Sequence, residues 1–366
     1  MPALSKNNRM TKRERVEAAM NLQETDRTPI YDILINDPVI QYLTGIYPPV
    51  GETGLKLRLE ATARILDMTR MASYAPQKIG ETIDEDGFVH FRQDRWIGGG
   101  IRKRPFSDVE GAKKWLSKAI RSLNMPLNLK KHIRDFTEES EKVRHYLSDD
   151  TVVIQEYGTG LDSVRYALGI ELFSYLSVDE PELITEYLDR CTAREIEKIH
   201  ATANPALSPC ALTYGDIAYK ERLLHSPEWL RREFFPLVAL LNRALHEHGV
   251  KCLFHSDGYL MDVMPDLLAT EIDGINPVEI VAGMDLKEVK RLYGEKIFIT
   301  GGIDISQLMA IGTPEDVRCA CQEAIRIASP GYFIGSTTEL DNGSKLENVL
   351  AMVETAWGEP VITNSR

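Results

Sequence analysis

Residues 251–279 read KCLFHSDGYLMDVMPDLLATEIDGINPVE, and this stretch indicates the fold class of the chain. It begins with one short apolar run, KCLFHSD (251–257), and ends with another, GINPVE (274–279). Each run closes in polar residues just before a loop. Short buried strands that alternate with longer segments are typical of parallel pairing, in which a helix crosses from one strand to the next.

The same alternation of apolar runs and helical segments continues along the chain. We predict seven strands, at TPIYDILI (28–35), VVIQEYG (152–158), CALTYGD (210–216), KCLFHSD (251–257), GINPVE (274–279), IFITGG (297–302) and GYFIGST (331–337). Helix starts are predicted at Thr11-x-x-Glu14, Ser226-Pro227, Asp285-x-x-Glu288 and Thr313-Pro314. Pro236 predicts a kink in the helix that starts after Ser226, and Gly249 predicts its end.

Polar residues close several of the predicted strands, namely Glu156, Asp216, His255, Asp257, Glu279, Gly301-Gly302 and Ser336-Thr337. A parallel barrel builds its active site from such strand ends, whereas an open doubly wound sheet usually carries a glycine-rich phosphate turn. No GxGxxG motif follows the first predicted strand. The pattern favours an α/β fold of the (β/α)8 TIM-like barrel class, with residues 1–366 as one domain.

Residues 76–150 interrupt the alternation and are predicted to form an insertion that caps the barrel. Residues 76–106 alternate around an Asp86-Gly87 turn and indicate a β-hairpin. Residues 107–150 are helical and highly charged, and Ser107-x-x-Glu110 is a predicted capping box at their start.

The composition excludes several classes of protein. The 366 residues include 43 Lys and Arg against 55 Asp and Glu, which gives a formal net charge of −12. This balance disfavours nucleic-acid binding, which needs clustered cations. No apolar run approaches the ~20 residues that span a bilayer, and the N-terminal segment lacks the apolar region of a secretory signal. The five cysteines form no CxxC motif, so we expect a reducing, cytoplasmic location.

The clearest group of potentially catalytic or metal-binding side chains is predicted at the end of strand 251–257. His255 and Asp257 lie two residues apart and therefore share one face of that strand. Glu279 closes the next predicted strand, which would bring its carboxylate near the pair. One imidazole and two carboxylates could hold zinc and leave a coordination position open. Asp257 could equally orient His255 or cap the next helix with no metal present.

Other strand ends supply further candidates. Asp216 could be a metal ligand, a partner of His255, a substrate contact or an N-cap. Glu156 could bind a substrate hydroxyl or form a buried ion pair. Tyr157 and Tyr214 could line an aromatic pocket or serve packing alone. Asn36 is a candidate substrate contact that also fits an ordinary turn.

Five segments resemble the uroporphyrinogen decarboxylase superfamily, whose members share a (β/α)8-like barrel. They are TKRERVEAAMNLQETDRTPI (11–30), SPEWLRREFFPLVALLNRALHEHG (226–249), FHSDGYLMDVMPDLLATEIDGINPVE (254–279), MDLKEVKRLYGEKIFITGGID (284–304) and GYFIGSTTEL (331–340). The resemblance implies one of two activities, decarboxylation of a porphyrinogen or methyl transfer that depends on a corrinoid.

Decarboxylation is the alternative that the resemblance supports less well. True decarboxylases carry an arginine-rich RQAGR stretch after the first strand and a histidine in a late GHG-type loop. Here residues 30–45 contain no arginine, and residues 333–340 contain no histidine. A substrate with many carboxylates needs such cations for recognition.

The sequence is more similar to the methyltransferase branch of the superfamily. Thiol-methylating members resemble H-x-C…C zinc proteins, and His255 matches their histidine. Asp257 stands at the first cysteine, and residues 337–339 stand at the second. Oxygen ligands make zinc a harder Lewis acid, which suits an ether oxygen better than a thiol. The resemblance therefore implies the first component of an O-demethylase system.

That component would move a methyl group from a small methylated substrate, an aryl methyl ether, to Co(I) on a separate corrinoid protein. The implied zinc ligands are His255, Asp257, Glu279 and Glu339, with Asp216, His255 and Asp257 as the catalytic group. A homodimer is common in the superfamily. A third alternative is a non-catalytic barrel that serves as a binding subunit of a methyl-transfer complex.

Overall fold

A computed structural model describes residues 9–97, 99–147 and 150–361. Its central feature is a ring of short parallel strands. The largest sheet contains β7 (Gln155–Gly158), β8 (Cys210–Tyr214), β11 (Lys251–His255), β12 (Gly274–Asn276), β13 (Phe298–Thr300) and β14 (Tyr332–Phe333). Its strand order is β14-β13-β12-β11-β8-β7. Between β8 and β11 the chain forms a separate antiparallel pair, β9 (Ala218–Tyr219) and β10 (Arg222–Leu223).

Short pairings close this sheet into a barrel. β6 (Val152–Val153) precedes β7 and pairs in parallel with β2 (Met68–Thr69). Residues 30–31 lie between β2 and β14, through parallel bridges from Tyr31 to Met68 and from Ile30 to Ile334. β1 (Leu34–Ile35) continues this strand and pairs with β15 (Leu340–Asp341). The predicted (β/α)8 barrel is confirmed, and β2 is a strand that the sequence analysis missed.

The barrel interior is filled by alternate residues of the strands. One buried cluster combines Tyr31, Met68, Val152, Ile154, Cys210, Leu212, Leu253, Phe298 and Phe333. The intervening residue Cys252 belongs to a second cluster, together with Leu241 and Leu245 on the helix outside the wall. Period-two alternation thus separates an inner core from an outer core along the same strand.

Helices surround the barrel. The α-helices of the described ranges are α1 (Lys12–Met20), α2 (Asp37–Thr44), α3 (Glu52–Ile65), α4 (Val109–Leu123), α5 (Leu129–Leu147), α6 (Leu161–Leu168), α7 (Ile170–Asp179), α8 (Pro181–Thr202), α9 (Pro227–Trp229), α10 (Phe235–His246), α11 (Met264–Ala269), α12 (Leu286–Tyr293), α13 (Pro314–Ala328) and α14 (Leu346–Trp357). In these ranges we find no helix whose length and apolar character would let it cross a membrane.

Most of the predicted helix starts are confirmed by their hydrogen bonds. Thr11 and Thr313 each form a reciprocal capping box, and the side chains of Ser226 and Asp285 accept from backbone amides of the following turn. Before Pro236 the backbone forms a π-helical turn over Leu230–Phe234, which is the form that the predicted irregularity takes.

The start of α4 differs from the prediction. Asp108, not Ser107, is the N-cap, and its carboxylate accepts from the Gly111 amide at 2.7 Å. Both residue types cap helices well, so the two positions compete and the sequence alone does not decide between them.

The segment between β2 and β6 carries the predicted hairpin and a third strand. β3 (Gly80–Ile83), β4 (Val89–Arg92) and β5 (Gly100–Lys103) form an antiparallel sheet in the order β3-β4-β5. Gly87 has a φ of 88° in the turn between β3 and β4. The helices α4 and α5 follow this sheet, and α5 leads back towards the barrel wall.

Candidate metal centre

A layer of polar side chains lies where the inner core ends. Met68, Ile154, Leu212 and Leu253 belong to the buried cluster inside the barrel. The residues two positions further along the same strands are Arg70, Glu156, Tyr214 and His255. Alternation directs these side chains to the same side as the core residues before them, at the carboxyl ends of the strands.

His255 is oriented by a chain of hydrogen bonds across three neighbouring strands. The Thr300 hydroxyl donates to the Ile275 carbonyl at 3.2 Å, so its oxygen accepts from the Asn276 side-chain amide at 2.6 Å. The Asn276 Oδ1 is then left to accept from Nδ1 of His255 at 2.7 Å. This order fixes the proton of the imidazole on Nδ1 and leaves the Nε2 lone pair available.

The imidazole faces two carboxylates. Ligand atoms of Asp216, His255 and Asp257 all lie within 4.8 Å of one another, and His255 Nε2 is 4.0 Å from Asp216 Oδ1. Burial, together with the nearby Arg70 guanidinium, lowers the pKa of His255 to about 4. The imidazole is therefore neutral at pH 7, which is its ligand form.

Asp257 has an unsatisfied carboxylate oxygen. Its Oδ1 is buried and has no hydrogen-bond partner. Burial, together with the carboxylates of Asp216, Glu279 and Glu339, raises the pKa of Asp257 to about 7. A buried carboxylate oxygen with no donor is costly unless a cation or proton completes it.

The strand ends that carry these residues are fastened together. The Gly215 amide donates to the His255 carbonyl at 3.2 Å, and the Ile217 amide donates to Ser256 Oγ at 3.1 Å. The Asp257 amide donates to Asp216 Oδ1 at 3.3 Å. A Cβ on Gly215 would lie 2.5 Å from the Phe234 ring, so this close approach requires glycine. The spacing between Asp216 and Asp257 thus follows from the backbone.

Glu279 and Glu339, two of the predicted metal ligands, do not join the group of three. Glu279 Oε2 accepts from the Gly258 amide at 2.7 Å and so shapes the loop after β11. Glu339 is half-buried, and burial raises its pKa to about 7 despite the Arg70 charge. Both carboxylates act on Asp257 through their charge. Their role as ligands stays a prediction.

Arg70 is a residue of the site that the sequence analysis missed. It follows β2 and forms an ion pair with Glu156 at the end of the third barrel strand. Glu156 therefore forms an ion pair, as one of its two interpretations had it, and this pair is partly buried. Because β2 has only two residues, no periodic pattern in the sequence announced the strand or the position of this guanidinium.

Two predicted substrate contacts lie elsewhere. Tyr157 is adjacent to Glu156 and points to the opposite face, where it packs in the outer core beneath α8 and α10. Asn36 is fully buried and caps α2: its Oδ1 accepts from the Val39 amide, and its side-chain amide donates to the Ser344 carbonyl. The polar atoms of Asn36 are therefore already bonded, and Tyr157 faces away from the barrel interior, so neither side chain joins the group around His255. Tyr214, in contrast, remains at the inner face.

A second group of potential ligands, His246, Cys252 and Asp273, lies at the amino ends of the strands. Its polar groups already have hydrogen-bond partners, and the Cys252 thiol contacts the Asn242 carbonyl. Asp273 Oδ2 bonds His246 Nε2 and the Cys252 amide, both at 2.8 Å, and Lys251 lies 3.4 Å from Oδ1. Burial raises the pKa of the Cys252 thiol well above its usual value. The group with the orphaned Asp257 oxygen is therefore the better candidate for a metal site.

A family model for uroporphyrinogen decarboxylase matches residues 113–357, more than half of the chain. The chain belongs to the uroporphyrinogen decarboxylase family. The matched region contains Asp216, His255 and Asp257, whereas Arg70 lies before it. Membership of the uroporphyrinogen decarboxylase family agrees with the barrel and leaves the reaction open, because one fold supports many chemistries.

Solved structures are similar to this family member at low sequence identity. A methyltransferase from Methanosarcina mazei is 16% identical, with a TM-score of 0.72, over 95% of this chain and 99% of that chain. A B12-independent methionine synthase from Shewanella sp. W3-18-1 is 14% identical, with a TM-score of 0.45, over 91% and 98% of the two chains. A search of curated protein sequences found no match.

Proposed function

We propose that this member of the uroporphyrinogen decarboxylase family is a methyltransferase. Its methyl donor would be an aryl methyl ether, its acceptor would be Co(I) on a corrinoid protein, and its metal would be zinc. The observation that carries the proposal is the group Asp216, His255 and Asp257 at the carboxyl ends of the strands, with the unpartnered Asp257 oxygen inside it. The similar fold of a methyltransferase from Methanosarcina mazei supports the choice of reaction.

The three side chains fit a divalent ion by their chemistry. One neutral imidazole nitrogen and carboxylate oxygens form a mixed donor set that zinc accepts, and three protein ligands leave a position for substrate. The bond from His255 to Asn276 is the outer contact that metal-binding histidines usually make. A bound cation would also satisfy the orphaned oxygen of Asp257.

The chain's own residues prepare the pocket for a methyl ether. When bound, the metal would supply a Lewis acid that stabilises the negative charge of the departing phenolate. Asn276 holds the His255 ring, and the Asp257 amide holds Asp216. Tyr214 contributes an aromatic face at the end of β8. Asp216 is 45% exposed, so the group opens to solvent on the side where an acceptor must approach.

The reaction exchanges one bond for another. The bond from methyl carbon to ether oxygen breaks, and its electron pair leaves with the oxygen, which takes a proton from water to give a phenol. The new bond joins the methyl carbon to cobalt and uses the electron pair of Co(I), so that the product is methyl-Co(III). The corrinoid protein is thus a second substrate, and the barrel mouth is the face that it would contact.

Decarboxylation of a porphyrinogen is less compatible with the same geometry. The Arg70 guanidinium in this layer is already paired with Glu156. Asp216, Asp257, Glu279 and Glu339 would repel the carboxylates of such a substrate.

The proposal is tested first by zinc content. We expect about one zinc per chain in protein purified without chelator, and close to none in His255→Ala. His246→Ala is the matched control, because it removes the histidine of the other candidate group and should keep its zinc.

Methyl transfer is then measured anaerobically with a phenyl methyl ether and a Co(I) corrinoid protein. His255→Ala should lower the rate by on the order of 100-fold or more, while its thermal transition stays near that of the wild type. A wild-type protein without zinc, or a His255→Ala enzyme with full activity, would overturn the assignment.

We also propose that the chain works as one barrel domain in which residues 76–150 form a cap. The antiparallel sheet and α4 belong to this segment, and Arg104 bonds the Ala167 carbonyl at the end of α6 at 2.8 Å. Limited proteolysis should therefore leave the cap attached. Release of a stable barrel without the cap would indicate two domains.

A further inference from the structure

Two residues outside the proposed ligand group contact the backbone of Asp216 from both sides. The Asp216 amide donates to both carboxylate oxygens of Asp162, at 3.1 and 3.2 Å. Arg165 Nη1 donates to the Asp216 carbonyl at 2.5 Å. Arg165 also pairs with the Asp162 carboxylate at 2.5 Å. Asp162, Arg165 and the Asp216 peptide therefore form a closed unit, which we name the Asp216 clamp.

The side chains of the Asp216 clamp lie on the helix that follows β7, and β7 is the neighbour of β8 in the barrel. β7 ends at Gly158, and after a turn through Gly160, with a φ of 89°, α6 begins at Leu161. Asp162 lies in the first turn of α6, and Arg165 lies three residues later on the same face. The turn thus places a helical acid–base pair beside the end of β8.

Asp216 needs such support more than His255 does. Its side chain is 45% exposed, against 13% for His255. His255 is bonded to Asn276, whereas the Asp216 carboxylate accepts from the Asp257 amide at the long distance of 3.3 Å. A loop residue at the rim would lose conformational entropy on binding an ion unless its backbone were already fixed.

We propose that Asp162 and Arg165 are positioning residues that hold Asp216 in its metal-binding conformation. This inference rests on the proposed metal site and goes beyond it, since neither residue is among the ligand atoms of the group. An ion pair that only stabilised α6 would contribute a few tenths of a kcal/mol to that helix and nothing to metal affinity. The hydrogen bonds to the Asp216 backbone are what distinguish a positioning role from this stabilising role.

The test measures zinc affinity by competition with a chromophoric chelator, together with the thermal transition of each metal-free variant. Asp162→Ala removes the acceptor of the Asp216 amide and should weaken zinc binding about 10- to 100-fold, as loss of an outer partner of a ligand does. Asp162→Asn keeps one oxygen acceptor without the charge and should lose less than about tenfold. Arg165→Ala should resemble Asp162→Ala.

Glu195→Ala is the matched control, because Glu195 pairs with Lys198 at the same three-residue spacing and with similar exposure on α8. It should bind zinc like the wild type. Equal zinc affinity in Asp162→Ala and wild type would refute the clamp, as would a loss in Asp162→Asn as large as in Asp162→Ala, which would assign the effect to charge. Absence of zinc from the wild type would instead refute the proposed metal site itself.

Discussion

Asp257 is a residue that lowers the stability of the metal-free protein and belongs to the proposed metal site. Its buried Oδ1 has no donor, and burial together with three neighbouring carboxylates raises its pKa to about 7. The unfolded chain would bind that proton only near the ordinary value of about 3.9. Without metal, the folded protein therefore takes up a proton at Asp257 between these two pH values, and ionising the group at higher pH costs stability.

We expect Asp257→Asn to stabilise the metal-free protein at pH 8. The raised pKa means that the stabilising proton is present at pH 5 and lost as the pH rises through about 7. The amide cannot ionise, so the melting temperature of the variant should exceed that of the wild type by a few degrees at pH 8 and by less at pH 5, where only the first part of the loss has occurred. Differential scanning calorimetry with chelator checks this. A wild type that is more stable at pH 8 than Asp257→Asn contradicts the account.

Asn276 offers a second measurement at the scale of one residue. Asn276→Ala removes the acceptor of His255 Nδ1, so the ring can rotate or change tautomer, and zinc affinity should fall about 10- to 100-fold. Thr300→Val breaks only the next bond in the chain and should cost less. Chelator competition ranks the variants. Equal affinities in all three proteins would show that the hydrogen-bond chain does not orient the imidazole.

The sequence predicted only part of the residue-scale picture. His255 and Asp257 share a face by alternation, and that rule holds at strand ends. Asp216 joins them because β8 and β11 are neighbours in the barrel. Asp162 lies on a helix, and its contact with Asp216 depends on the turn after β7, which no periodicity describes.

At the scale of elements, the starts of helices were predicted correctly where only one residue at the start could act as the N-cap. Thr11, Ser226, Asp285 and Thr313 all cap as expected. The exception is α4, where two good capping residues stand side by side and the chain uses the second. The position of the backbone after the preceding sheet decides which of the two residues caps the helix. That position depends on contacts distant in sequence, so the residues around the helix start do not reveal it.

The α4 start can be tested by two single substitutions. Asp108→Ala removes the acceptor of the Gly111 amide and should lower the free energy of unfolding by about 1 kcal/mol. Ser107→Ala should change it by less than about 0.5 kcal/mol. Urea denaturation of both variants measures the difference. A larger loss in Ser107→Ala would place the cap at the position that the sequence first indicated.

At the scale of the whole molecule, closure of the barrel depends on the junction between its first and last strands. β1 and β14 have two residues each, so few ladder hydrogen bonds join this part of the ring. Asp32 reinforces this junction. Its buried carboxylate accepts from the Ser336 amide, the Ser336 hydroxyl and the Leu340 amide, in addition to the Ile33 amide.

Asp32→Ala should therefore destabilise the entire fold. Three buried backbone amides would lose their acceptor, and we expect a loss of roughly 3 kcal/mol in the free energy of unfolding. Ser336→Ala removes one donor to the same carboxylate and should cost only about 1 kcal/mol. Urea denaturation with chelator present compares the two. A loss in Asp32→Ala no greater than in Ser336→Ala would show that the ring closes without this carboxylate.

The barrel as a whole could be predicted because seven strands carry apolar runs long enough to recognise. β2 could not, since Met68 and Thr69 stand between charged residues and gain their strand character only from neighbours on both sides. Its absence from the prediction hid Arg70. The sequence therefore predicted the residues of the candidate site that lie on the seven recognisable strands, but not Arg70.

The bonds that run from Thr300 through Asn276 to His255 have a consequence for how this scaffold can change. They connect residues at the ends of three neighbouring strands and involve no residue of the loops beyond those strands. Loop segments that leave Asp216 and Asp257 in place can therefore be exchanged without disturbing the imidazole. A library of such variants should keep the orientation of His255 while the shape of the barrel mouth changes.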